Sequence, residues 1–137
     1  DDLNNKFETA LLIDCHSMPF NSYNDTCKVP EIVIGNNFQD GISKELADFL
    51  VSGFKKFDFS VKLNDPYSGG FITQHYGSLK KNVKVIQLEI RRDLYMDQDQ
   101  LVKASNFKNI QSILTKVINE LSNFIIAKNE KFYKAAE

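Results

Sequence analysis

Hydrophobic residues along this chain change their period several times, and each change marks an element. Ala10-Leu11-Leu12-Ile13-Asp14-Cys15 is a short apolar run closed by polar residues. It predicts a buried strand, as in a sheet covered on both faces. Residues His16 to Pro30 are rich in Ser, Asn, Asp and Pro and predict a loop. Glu31-Ile32-Val33-Ile34-Gly35 predicts a second strand, stopped by Gly35 and an Asn pair. Leu46, Phe49, Leu50 and Phe54 then fall at helical spacing, with Ser43 placed to cap that helix. Phe57 to Leu63 alternates with period two, which predicts a half-buried strand. Asn64-Asp65-Pro66 ends it, and Ser68-Gly69-Gly70 makes a flexible turn. Phe71 to Gly77 reads as a short extended piece or turn, and Lys80-Lys81-Asn82 as a solvated loop. Val83 to Ile90 is the clearest strand, and its centre, Val85-Ile86, is apolar on both faces, as in a central strand. Ile110, Ile113, Leu114, Val117, Ile118, Leu121, Phe124 and Ile125 lay a wide helical stripe on something, most simply the sheet.

Strands alternating with helices predict one α/β layered domain over residues 1–137. Its length suits one domain with a real core. In such sheets ligands sit beyond the carboxyl ends of the strands. Chemistry is therefore expected just after Cys15 and at the end of the Val83–Ile90 strand. The 17 Lys and Arg balance 18 Asp and Glu to a net charge of −1, which argues against a general nucleic-acid binder. No apolar run reaches the roughly 18 residues of a membrane span. The chain opens without a basic-then-apolar leader, so secretion is not indicated and a cytoplasmic location is expected. Cys15 and Cys27 form no CxxC or cluster and read as two reduced thiols. Asp1 is not a methionine, and Asp2 to Thr9 reads like the tail of a helix; both suggest a chain cut from something longer.

Few residues stand where chemistry could occur. His16 ends the first strand with Asp14 two residues back on the same side, while Cys15 faces the other way. A Cys15–His16 nucleophilic pair is therefore poor geometry. A metal-ligating imidazole oriented by a carboxylate is better; an ordinary hydrogen-bonded loop histidine is the plain alternative. Gln87, Glu89 and Arg91 share one strand face. A glutamate at a buried strand end is expensive unless paired or working. Desolvation would raise its pKa towards that of a general base, whereas an ion pair with Arg91 or Arg92 would make it structural. His75 and Tyr76 could line a pocket mouth or form a polar turn. Arg91 and Arg92 could clasp a carboxylate or end a strand in solvent. Lys55-Lys56 and Lys80-Lys81 face solvent.

Four segments, in order, resemble one family. Leu12-Ile13-Asp14-Cys15-His16-Ser17-Met18-Pro19 resembles the "DxHS" segment of the N-formylglutamate amidohydrolases (N-formylglutamate deformylases). Glu31 to Gly35 looks like that family's next element, Gly69 to Gly77 resembles its "GGYITRHYG" stretch, and Val85 to Asp97 resembles its "xxQLEIxRxLYMDE" block. The resemblance covers roughly residues 10 to 125. It implies the C-terminal portion of a three-layer α/β/α sandwich around a mixed sheet, similar to the zinc carboxypeptidases, in a bacterial, cytoplasmic enzyme. It implies a zinc ion held by His16 and by a His and a Glu of an early motif, with Glu89 as general base and acid and Asp14 behind His16. It further implies Gly70, His75, Tyr76 and Arg92 around a small N-acyl amino acid, with neither nucleic acid nor membrane as a partner. The early motif is not in this sequence, so a preceding segment of the same enzyme is the implied source of the other ligands. Gln74 stands where the family pattern has Arg, and Asn36 to Asp40 departs from "GDRxGTS". Both changes remove positive charge near a site for a dicarboxylate.

Overall fold

A computed structural model describes residues 6, 10–20, 29–39, 42–79 and 83–134. Its main sheet contains β1 (Ala10–Met18), β2 (Ile32–Gly35), β3 (Val61–Leu63) and β4 (Val83–Arg91), in the order β1-β4-β2-β3. β4 runs parallel to β1 and antiparallel to β2, and β2 runs parallel to β3, so the sheet is mixed. The sheet is accompanied by α1 (Ile42–Lys55), α2 (Phe71–Leu79) and α3 (Phe107–Lys134). A 3₁₀ turn at Arg92–Leu94 leads into a small hairpin, β5 (Met96–Asp97) and β6 (Val102–Lys103), ahead of α3.

Side-chain alternation divides the layers. Ile86 and Leu88 of β4 and Ile32 and Ile34 of β2 point to one face. There they meet Leu46, Leu50 and Phe54 of α1 and Val117 and Leu121 of α3. Val85, Gln87 and Glu89 take the opposite face, where α2 packs against β4. This is the three-layer α/β/α arrangement around a mixed sheet expected from the sequence. The stripe on α3 also behaves as expected: Ile110, Ile113, Val117 and Leu121 are buried, and Phe124 stacks on Phe49 with ring centroids 4.7 Å apart.

Other expectations need correction. β1 is not covered on both faces: among the described residues it pairs only with β4, and Leu12 is 39% exposed. Leu12 is the exposed member of its apolar run, while Leu11 and Ile13 pack on the core. β1 also runs on to Met18, through residues expected to be loop. The alternating Phe57–Leu63 segment is a strand only from Val61. Before it, Phe57 and Asp58 close a turn on the end of α1, Asp58 takes a φ of 62°, and Phe57 and Phe59 reach the core from that turn. Ser43 is not a cap; it lies inside the first turn of α1, buried, and its Oγ donates to Gln39 Oε1. Phe71–Gly77 is neither extended nor a turn but most of α2. Lys55 and Lys56 are exposed as expected. Cys27 and Lys80-Lys81-Asn82 lie outside the described residues, as does all of Asp2–Thr9 except Lys6.

One close approach explains how the loop before α2 is held. A Cβ on Gly35 would lie 2.7 Å from Gly69 N and 2.8 Å from the Ser68 carbonyl carbon, so only glycine lets the end of β2 touch that loop. Asn37 N–H donates to Ser68 O, and Asn36 exchanges side-chain and backbone bonds with Asn64. Gly69 itself takes a φ of 118°, a conformation that side-chain-bearing residues rarely adopt. The loop is thus fixed against the carboxyl end of β2, beside Gln87 in the middle of β4.

Candidate active site

The parallel register of β1 and β4 sets His16 beside Glu89 and Asp14 beside Gln87. The side-chain period of two puts all four on the α2 face, with Asp14 and Gln87 at mid-strand and His16 and Glu89 one step nearer the carboxyl ends. His16 Nε2 lies 3.1 Å from Asp14 Oδ2, and its Nδ1 lies 3.7 Å from Glu89 Oε1. A neutral imidazole that donates from Nε2 to Asp14 keeps its Nδ1 lone pair towards Glu89. That is how a carboxylate orients a ligating histidine.

Glu89 is only 6% exposed. Burial pushes its carboxyl above the usual range; His16 when protonated and the Arg92 charge pull it back, and Asp14 adds to the rise. The structural alternative for Glu89 fails on geometry. Among the described residues, Arg91 spends its guanidinium elsewhere: Nε and Nη2 donate to Asp93, and Nη1 donates to the Val29 carbonyl. Arg92 donates to Ser17 Oγ at 3.2 Å and Ser17 O at 3.5 Å, which ties it to the end of β1 at the rim of the site. Glu89 is therefore buried, aimed at His16, and held by no arginine.

Cys15 turns away from this group, and desolvation followed by the Asp14 charge raises its thiol. A raised thiol is a poor source of thiolate, in keeping with the facing argument against a Cys15–His16 pair.

Gln87 and Glu89 form the floor of a cleft of about 280 Å³ whose other walls are Pro66, Tyr67, Ser68, Gly69 and Gly70. Gly70 lies on the wall of this cleft. His75 and Tyr76 do not line it. They sit further along α2, exposed, with the His75 ring stacked on Phe71 and edge-on to Tyr76, each at 5.0 Å. Tyr67 and Gln87 were not singled out from the sequence. For Gln87 the signal was present, because it shares the strand face of Glu89; for Tyr67 there was none, since only the Gly35–Gly69 contact brings its loop here.

A larger groove, about 430 Å³, runs between α3 and the sheet, lined by Ile90, Tyr95, Phe107, Ile110 and Leu114 with His16 at its rim. It is apolar and lies on the α3 side, away from the Glu89 carboxyl. Among its lining residues His16 and Tyr95 are titratable, and Glu89 is not one of them; Glu89 opens into the smaller cleft.

The described residues fit a zinc ion in part. His16 offers a braced imidazole nitrogen, but no group of three or more His, Cys, Asp or Glu among the described residues is placed to hold a metal. A catalytic zinc usually takes three protein ligands.

The family model for N-formylglutamate amidohydrolase matches residues 1–96. The N-formylglutamate deformylase of Pseudomonas aeruginosa is 32% identical over 95 residues, covering 68% of this chain and 36% of that protein. The N-formylglutamate deformylase of Pseudomonas putida is 30% identical over 102 residues, covering 73% and 38%. Among solved structures, an N-formylglutamate amidohydrolase from Ralstonia eutropha superposes with a TM-score of 0.85 at 23% identity, over 93% of this chain and 47% of that one. A bacteriophage poly-gamma-glutamate hydrolase shares the fold at a TM-score of 0.54 and 15% identity, over 83% of this chain and 54% of that one. The chain therefore spans well under half the length of the curated relatives it matches. Matched over most of its length by the family model, and by two relatives across two thirds or more of its residues, the chain belongs to the N-formylglutamate amidohydrolase family.

Proposed function

We propose that this chain carries the catalytic half of a zinc-dependent amide hydrolase acting on N-formyl-L-glutamate or a related N-acyl amino acid. The observation that carries the reading is the buried, pKa-raised Glu89 beside a histidine braced by Asp14. In this reading His16 Nδ1 supplies one zinc ligand, and a preceding segment of the same enzyme supplies the rest. A zinc ion so bound would polarise the acyl carbonyl and acidify water. Glu89 acts as general base, accepting a proton from the attacking water while its oxygen forms the new bond to the acyl carbon. Glu89 then returns that proton to the amide nitrogen as the C–N bond breaks. For N-formyl-L-glutamate the products are formate and glutamate. Asp14 keeps the imidazole in the tautomer that leaves Nδ1 free.

Formate release from N-formyl-L-glutamate, with N-formyl-L-leucine as a neutral comparison, tests the substrate class. Turnover of the acidic substrate is expected; turnover of neither would remove the enzymatic reading. Arg92, at the rim, is expected to favour acidic substrates. Arg92→Ala should raise KM for N-formyl-L-glutamate about tenfold and leave kcat nearly unchanged, as for lost uniform binding. An equal rise for the leucine substrate would instead make Arg92 a brace for Ser17.

A second reading rests on the missing ligands. A chain in which no group of three possible metal ligands occurs among the described residues would fold and bind an amino acid without hydrolysing it. It predicts no formate and no stoichiometric zinc.

A further inference from the structure

Gln87 is a buried polar residue that nothing in the proposed reaction uses. Among the described residues, the buried side-chain atom left without a hydrogen-bond partner is Thr73 Oγ1, in the first turn of α2, and such an atom is rare in a folded protein. Gln87 is 4% exposed, and no hydrogen bond joins its carboxamide to a described residue. What exposure it keeps opens into the cleft it shares with Glu89, Gly69 and Gly70. Its Nε2 lies 3.9 Å from where a Cβ on Gly70 would stand, so the missing side chain leaves room directly over the amide.

The same spot is the start of α2. The first bond of this helix runs from Gln74 N–H to Gly70 O, so the Phe71, Ile72 and Thr73 N–H groups precede the ladder. Among the described residues no side chain caps them. A helix start with free N–H groups favours negative oxygen. Here a buried amide donor stands beside it, and the preceding backbone, locked by Gly35 and Gly69, brings the two together.

We propose that Gln87 and the α2 N-terminus form a carboxylate-binding subsite one strand step from Glu89. The subsite holds one carboxylate of an amino acid through neutral donors, Gln87 Nε2 and the N–H groups at the start of α2. The proposal rests on the amino-acid substrate class proposed above. The carboxylate is either the α-carboxylate or that of the side chain, and mono-amides of glutamate separate the two.

The test is a titration of ¹⁵N-labelled protein with L-glutamate, L-glutamine and L-isoglutamine, following backbone amide shifts. Glutamate is expected to shift the Phe71 and Ile72 resonances saturably. One mono-amide should bind like glutamate and the other about tenfold or more weakly, which names the carboxylate held. Gln87→Leu should weaken glutamate binding about tenfold, as for a lost hydrogen bond to a charged group. Should that variant fail to fold, Gly70→Ala, which fills the space over the amide without a backbone clash, should weaken binding in the same direction. Unshifted Phe71 and Ile72, two mono-amides that bind as well as glutamate, or unchanged affinity in the variant that folds would each overturn the subsite. The readout is binding, so it separates from the reaction. Saturable shifts without formate release leave the subsite standing and remove the hydrolase; formate release without those shifts does the reverse.

Discussion

Glu89→Gln is expected to lower kcat for N-formyl-L-glutamate about 10²- to 10⁴-fold, the range for loss of a general acid–base. KM should change little, because the carboxamide keeps the shape of the side chain and the cleft floor. The wild-type acid limb should lie above the pH at which an ordinary glutamate titrates, because burial is the largest influence on Glu89. The same raised pKa has a consequence for stability. At pH values above both the unfolded and the folded pKa, Glu89 is charged in both states and the folded state bears the unfavourable desolvation. Below the unfolded pKa it is neutral in both, and that burden is absent. Stability contributed at this position therefore falls as pH rises through the window between the two values. Glu89→Gln should accordingly raise Tm at neutral pH while removing activity, and the gain should vanish in acid. A variant with near-wild-type turnover, or one that is less stable at neutral pH, would take Glu89 out of this role.

The largest expected effect on stability is that of Phe54→Ala. Phe54 is fully buried between α1 and the sheet, and its ring meets Phe59 edge-on at 6.3 Å between centroids. It belongs to the cluster that joins β2 and β4 to α1 and α3. Truncation removes buried surface and leaves a cavity that two helices and a sheet cannot easily close, at about 3–5 kcal/mol. Urea unfolding should show the midpoint falling with little change in slope. A loss below about 1 kcal/mol, the scale of a surface substitution, would mean that this interface does not hold the layers together.

Much of this architecture is legible along the chain, and the exceptions have physical reasons. β2, β4 and the stripe of α3 follow from periodicity, because each buries a face that its own sequence defines. Asp14, His16 and Glu89 share one sheet face, as strand alternation predicts, although β1 runs on past His16 to Met18. α2 does not follow: Phe71-Ile72-Thr73 is β-branched and aromatic, and its helicity comes from the Gly69–Gly70 break and the surface of β4 rather than from propensity. The edge position of β1 does not follow either, since a continuous apolar run states that a strand wants burial but not how many neighbours it has. Arg91 shares the strand face of Glu89, yet Asp93, Glu31 and the Val29 carbonyl draw it away. Those partners belong to the turn after β4 and to the chain ahead of β2, and strand alternation carries no information about them.

The proposed centre is tested most directly by zinc content. Purified protein, as its gene encodes it, is measured by elemental mass spectrometry beside His16→Ala and Glu89→Gln. The account predicts near-stoichiometric zinc in the wild type and in Glu89→Gln, and its loss in His16→Ala, because His16 is a ligand and Glu89 is not. Zinc retained at full stoichiometry in His16→Ala, or absent from the wild type, would contradict it.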